Sequence, residues 1–239
     1  MTLRPELTGV PGVPESALAE VVVATLPANL APAPWACVCA GLIWVGRGGR
    51  HASAALPPAL RAGRALATIG GFISYDQAPV GQYDEVFGVV ASRTGVHPWG
   101  HVAFMSVDSP TSLVGGRTNW AMPKTLATFS GTPKEGMSAQ AEADAGDGAG
   151  WRVSATPRPF GPAIPWRSRA VARQEFPDGR VGASRLEMRA RLRPALVTVE
   201  VSSSSRAPGA LPSWLPSGRR LGAIIESATL TLGAPSFED

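Results

Sequence analysis

The sequence predicts a mainly β protein, mostly antiparallel, with few short helices, folded as one domain over residues 35–239 behind an irregular lead-in of residues 1–34. Three observations lead there. Gly and Pro are frequent, 27 and 23 of 239 residues, which suits short strands joined by many turns. Apolar residues fall in short runs, several of them alternating, rather than at helical spacing. At 137–157 an alternating stretch, an Asp/Gly cluster and a second alternating stretch follow one another, the pattern of a hairpin. A chain of this length can bury a sizeable core, and 44% hydrophobic with 17% charged residues describes a globular protein.

In chain order, the lead-in is broken by prolines at 5, 11, 14, 27, 32 and 34 around a short apolar VVVATL. WACVCAGLIWV (35–45) reads as a buried strand. Cys37 and Cys39 share one face of it. Without nearby His or Cys they suit neither zinc nor a disulfide, and they are expected to be small buried hydrophobes. HASAALPPALRAGRAL (51–66) suggests a short helix interrupted at Pro57-Pro58. Strands are expected at 67–77, 84–93 and 101–108, separated by the turn-rich APVGQ and TGVHPWG. The hairpin at 137–157 would set Met137, Ala139, Ala141 and Ala143 on one face. RLEMRARLR (185–193) and PALVTVEVSSSS (194–205) alternate as strands, LPSGRRLGAI (215–224) carries a weak helical signal, and ESATLTLG (226–233) closes the chain as a strand.

Several function classes fall away. The pI near 9.7 reflects a net charge of only +4 with arginine in place of lysine. The one diffuse concentration of arginines, Arg167 to Arg193, lacks interleaved aromatics, so no nucleic-acid partner is expected. His97 and His101 have the spacing of one helical face, but Pro98 and Gly100 between them argue against a helix, and no metal is expected. GVPGVP, GGR and AGDGAG lack the setting of a phosphate loop, and no Gly-x-Ser-x-Gly elbow occurs. No run approaches the roughly 18 apolar residues of a membrane span. The first twenty residues carry prolines and carboxylates where a signal peptide needs a continuous apolar stretch. A cytoplasmic protein without a membrane partner is expected.

Of the 22 basic residues only two, Lys124 and Lys134, are lysines. An amine can lose its proton and attack a carbonyl, whereas a guanidinium stays charged. In VGGRTNWAMPKTLATF (114–129), Gly115-Gly116 and Pro123 fix the backbone before Lys124, and the residues after it are apolar or small. Burial disfavours an ammonium ion, which leaves a neutral amine available for Schiff-base chemistry. In DQAPVGQYDEVF (76–87), Tyr83, Glu85 and Phe87 fall on one strand face, which puts a carboxylate among aromatic neighbours where it could move protons. Blander readings stand beside these. Lys124 could be a strand-end lysine reaching solvent, Glu85 could pair with Arg117, Arg117 could orient a substrate carboxylate or hold the fold, and Tyr83 and Trp120 could be wall or core residues.

VGQYDEV and GGRTNWAMPKTLA together resemble the acetoacetate decarboxylase family, in which a Gly-x-Tyr-x-Glu segment precedes a Gly-Arg-x-x-x-x-Pro-Lys segment at similar spacing. The resemblance covers roughly residues 35–157. It implies an antiparallel sheet curled into a cone-like barrel around an internal cavity. It also implies Lys124 as the Schiff-base lysine and Glu85 as the cavity glutamate, both catalytic; from the residues themselves, Arg117, Tyr83 and Trp120 are the substrate-binding candidates. The reaction would be decarboxylation of a small keto acid, or an aldol or dehydration step through the same enamine, with no cofactor. A homo-oligomer is expected by the same resemblance. The chain departs from the family pattern at Thr125, where a second lysine is usual, near Cys37, where an arginine is usual, and near Ile69 or Gly70, where a glutamate is usual. A catalytically silent barrel that binds a small apolar or carbonyl ligand is the alternative.

Overall fold

The computed structural model describes residues 4–61, 64–142 and 149–237. In chain order these form α1 (Pro5–Thr8), a 3-10 turn at Pro14–Ser16, α2 (Glu20–Val23), β1 (Trp35–Arg47), α3 (Arg50–Ala54) and a second 3-10 turn at Pro58–Leu60. Next come β2 (Ala67–Gln77), β3 (Tyr83–Thr94), β4 (His97–Val107), α4 (Pro110–Trp120), β5 (Lys124–Leu126), β6 (Thr128–Thr132), β7 (Gly136–Ala141) and β8 (Trp151–Pro159). The chain ends with β9 (Ile164–Glu175), β10 (Val181–Ser203), α5 (Leu211–Trp214), β11 (Gly218–Leu232) and β12 (Ser236–Phe237). No helix among the described residues is long and apolar enough to cross a membrane.

All the strands join one sheet, in the order β11-β1-β2-β3-β4-β9-β10-β8-β7-β6, and a further β10–β11 pairing brings the first seven of these back on themselves. The result is a ring with a wing rather than a plain barrel. Nor is it purely antiparallel, because β5 runs parallel to β4 and β9 meets β4 in parallel at Gly100 and Ala172. The ring is weakest there. Two layers of side chains follow from the alternation of each strand. Leu42, Trp44, Phe72, Val86, Ala103 and Phe104 face β7, β8 and β10 and form the main core with Trp151, Val153, Val197 and Trp214. The opposite faces, with Cys39, Ile73, Ile225 and Ala228, meet Tyr75, Phe87, Met188 and Leu230 inside the ring.

β10 runs unbroken through Pro194. Its one edge pairs with β9 as far as Leu192 and with β8 from Ala195 onward. Pro194 sits at the changeover, where no ladder bond needs its missing N–H. The alternation also sorts the Arg-rich segment: Arg185, Arg189 and Arg191 are exposed while Leu186, Met188, Ala190 and Leu192 are half-buried. Arg169–Glu187 and Arg191–Glu226 pair on the outer surface.

One expectation needs correction, and three further segments show what the sequence left unread. Residues 215–224 are strand from Gly218 on, because β11 is pinned between β1 and β10, and a Cβ at Gly222 would stand 2.1 Å from the Ile43 carbonyl oxygen. Tertiary pairing overrides the weak local helical signal there. Residues 110–120 are a helix that Gly115-Gly116 concealed, since glycine is a poor helix former. β9, rich in Arg and Ala, carries no clear strand pattern, yet it pairs with β10 over twelve residues, Ile164 to Glu175. The lead-in packs on the body of the fold: Leu7 and Val13 are buried, and Leu7, Val23 and Leu26 pack on Leu113 and Val114 of α4. Most of the turn expected at 144–150, and Ala143 of the hairpin face, lie outside the described residues.

Candidate active site

Lys124 owes its position to the helix before it. Ser109 caps α4, its hydroxyl accepting from the Ser112 amide at 3.2 Å, and Pro110 opens the first turn, a favourable start for a helix. The helix stops at Ala121, which adopts a left-handed conformation with φ 50°. The Met122 amide then donates back to the Gly116 carbonyl at 3.1 Å. After Pro123 the chain enters β5, with Lys124 opposite Met105 of β4.

The lysine side chain folds back over the helix it has just left. A Cβ at Gly116 would stand 2.5 Å from Lys124 Cδ, and one at Gly115 would stand 2.4 Å from the Trp35 ring. The two glycines that disguise the helix are therefore the floor on which Lys124 and Trp35 lie. Neither tolerates a side chain without displacing what it carries.

Nζ of Lys124 lies 2.8 Å from Glu85 Oε2 and donates to Ser112 Oγ at 2.9 Å. The lysine and glutamate side chains are 4% and 5% exposed. Lys124 therefore does not reach out to solvent, and Glu85 pairs with it and not with Arg117. Glu85 stands on β3 between Ile73 of β2 and Val107 of β4. Its Oε1 accepts from the Tyr75 hydroxyl at 3.1 Å, which leaves Oε2 for the amine. The Tyr83 and Trp35 rings flank Nζ at 5.1 and 5.8 Å, within cation–π range. Tyr83 stacks on Tyr75 with centroids 4.3 Å apart.

Burial, and after it the Glu85 charge, hold the Tyr75 and Tyr83 hydroxyls well above the usual phenol range. Burial and then Glu85 push the Cys37 thiol up to about 11, with Lys124 opposing. Burial, followed by the charge of Cys37, pushes Cys39 up to about 12. Both cysteines are free and buried, so they enter the site as apolar wall.

Two candidates stand elsewhere. Each of the three guanidinium nitrogens of Arg117 donates to a backbone carbonyl: Nε to Lys124 at 2.6 Å, one terminal nitrogen to Ser16 at 2.7 Å and the other to Leu7. It is 1% exposed, and burial lowers its pKa to about 9. Arg117 ties the lead-in to the lysine's backbone, with all three of its nitrogens engaged there. Trp120 is one ring further out, edge-on to Trp35 at 5.0 Å, with its indole N–H donating to the Gly233 carbonyl at 2.8 Å.

Sequence reasoning missed Ser112, Tyr75 and Trp35. Two of these had a readable signal. Ser109-Pro110 marks a helix start that would have placed Ser112 on the first turn. The β2–β3 hairpin pairs Tyr75 with Tyr83 and Ile73 with Glu85. No group of residues suited to hold a metal occurs among the described residues.

The sequence matches the family model for acetoacetate decarboxylase over residues 49–174. The chain belongs to the acetoacetate decarboxylase family. The matched segment holds Tyr75, Tyr83, Glu85, Ser112 and Lys124, and it excludes Trp35 and Cys37. No curated protein matches the sequence. Among solved structures, the chain is similar to the acetoacetate decarboxylase of Legionella pneumophila subsp. pneumophila str. Philadelphia 1, at 17% identity and TM-score 0.62 over 90% of this chain and 92% of that one. It is also similar to an acetoacetate decarboxylase-like enzyme from Sphingomonas wittichii RW1, at 18% identity and TM-score 0.56 over 93% and 98%. A third is the enduracididine biosynthesis enzyme MppR in complex with pyruvate, at 15% identity and TM-score 0.55 over 88% and 92%. At these identities the likeness is one of fold.

Proposed function

We propose that the chain is an acetoacetate decarboxylase-like enzyme in which Lys124 forms a Schiff base with a small carbonyl compound, the class that includes the small keto acid expected from the sequence. The observation that carries this reading is the placement of the only buried lysine: Nζ is 2.8 Å from a carboxylate and 2.9 Å from a hydroxyl, away from water.

Glu85 takes a proton from the ammonium across that distance, and the freed nitrogen attacks the carbonyl carbon. The C–N bond forms as the carbonyl π pair moves to oxygen. That oxygen is protonated, and loss of water leaves an iminium. The iminium then accepts an electron pair from the neighbouring carbon, released either by departing carbon dioxide or by transfer of an α proton to Glu85. Ser112 and Tyr75 position the two partners, one at each end. The flanking Trp35 and Tyr83 faces stabilise a cation at Nζ, whether ammonium or iminium.

Lys124→Arg keeps a positive charge beside Glu85 and removes the nucleophile. Reductive trapping of the wild-type protein with a small ketone or keto acid and borohydride should give a covalent adduct that the variant lacks at an unchanged melting temperature. Equal trapping in both proteins would refute the reading. Reversible ligand binding with no adduct in either would establish the silent barrel.

A further inference from the structure

Beyond the imine itself, and resting on it, we infer that the substrate is an uncharged ketone or aldehyde with an apolar substituent, one that brings no carboxylate to the reacting carbon. Charge balance at the buried pair points to this class. Lys124 and Glu85 neutralise one another at 2.8 Å. Once the amine becomes an iminium its charge is still +1, so a neutral substrate leaves the buried site balanced. A carboxylate would add a second negative charge beside Glu85 with no side-chain counter-ion beside it among the described residues.

The one buried guanidinium among the described residues is already engaged elsewhere. Arg117 reaches Lys124, Leu7 and Ser16 only through their carbonyl oxygens and is held there by all three of its nitrogens. On the strand ends near Glu85 stand Asp76, Asp84 and Asp108, the last two joined by the Asp84 amide donating to Asp108 Oδ1 at 2.9 Å. They add to the field that opposes an anion. On β10 the arginines stand on the exposed face and the apolar side chains on the inner one.

Beyond Glu85 and Ser112, the side chains clustered with Trp35 inside the ring are aromatic, aliphatic or sulfur-bearing. Trp35, Cys37 and Met105 are buried in one cluster, and Tyr75, Phe87 and Val89 are only partly buried against it. These partly buried apolar faces inside the ring are surface that an apolar substituent can cover. With no carboxylate to expel, the iminium loses an α proton to Glu85, and its C–H electron pair becomes the enamine double bond. That enamine attacks a second carbonyl carbon, or expels a β-hydroxyl as water after protonation. The chemistry is aldol addition or dehydration.

Isosteric pairs test this on the intact protein: acetoacetate against 4-methylpentan-2-one, and 4-oxopentanoate against 5-methylhexan-2-one. Each is trapped with cyanoborohydride, read as adduct on the Lys124 peptide, and normalised to trapping on free N-acetyl-lysine. The uncharged member of each pair should label Lys124 faster by roughly tenfold or more. Equal or reversed preference at Lys124 would overturn the substrate class while leaving the imine intact. No label at Lys124 from any of the four would overturn the Schiff base and the substrate class with it. In Glu85→Gln the gap should narrow severalfold, whatever the absolute rate. An unchanged gap would show that Glu85 is not its source and would sink the charge-balance argument.

Discussion

Lys124 Nζ and Glu85 Oε2 stand 2.8 Å apart with both side chains about 95% removed from solvent. A buried ion pair contributes little net stability, but breaking it strands a charge. Glu85→Leu alone should therefore cost about 3–5 kcal/mol in denaturant unfolding, and Lys124→Met in the same protein should recover most of it. Independent, additive losses in the double variant would mean that the pair does not exist in solution.

Gly116 is the position where stability and function should separate. Alanine favours a helix by about 1 kcal/mol over glycine, yet its methyl group would meet Lys124 Cδ at 2.5 Å. Gly116→Ala should leave the melting temperature within a few degrees of the wild type and slow trapping at Lys124 by about tenfold to a hundredfold. An unaffected trapping rate would show that the lysine does not lie over the helix.

Arg117 holds three carbonyls together. Arg117→Met leaves buried oxygens unpaired, each costing about 1–3 kcal/mol, so unfolding should move to markedly lower denaturant. The preference between isosteric ketone and keto acid should not move at a temperature where the variant is folded. A selective loss of keto-acid trapping would restore Arg117 as a carboxylate clamp.

His101 makes the fold sensitive to acid. It is 1% exposed, its Nδ1 lies 3.1 Å from the Arg173 carbonyl, and burial lowers its pKa from 6.5 to about 4. The unfolded chain takes up this proton near pH 6.5 and the folded one only near 4. The contribution is therefore complete above pH 6.5 and lost as pH falls toward 4, about 3 kcal/mol in all. His101→Gln should flatten the stability profile over that interval. A wild-type profile already flat from pH 7 to 4 would contradict the placement.

The strands at 67–77, 84–93 and 101–108 were legible because their alternation and turn residues agree with their tertiary pairing. Lys124 and Glu85 were legible because the type of residue, a rare lysine and a lone carboxylate among aromatics, is the signal. What connects them was not. Ser112 depends on a helix whose glycines lower its local signal for a reason visible only in three dimensions, the passage of Lys124 and Trp35 across them. Trp35 arrives from a distant strand, and the sequence left two roles open for Arg117, since its partners are backbone oxygens that no sequence pattern marks. β9 is strand because β10 lies beside it.

Lys124 carries the proposed chemistry, and a chain with two lysines allows a direct test. Wild-type protein treated with an uncharged ketone and cyanoborohydride, digested and mapped by mass spectrometry, should carry the reduced adduct on the Lys124 peptide, with the exposed Lys134 and the N-terminal amine unmodified. An adduct confined to Lys134 or the terminus, or none at all, would contradict the central claim.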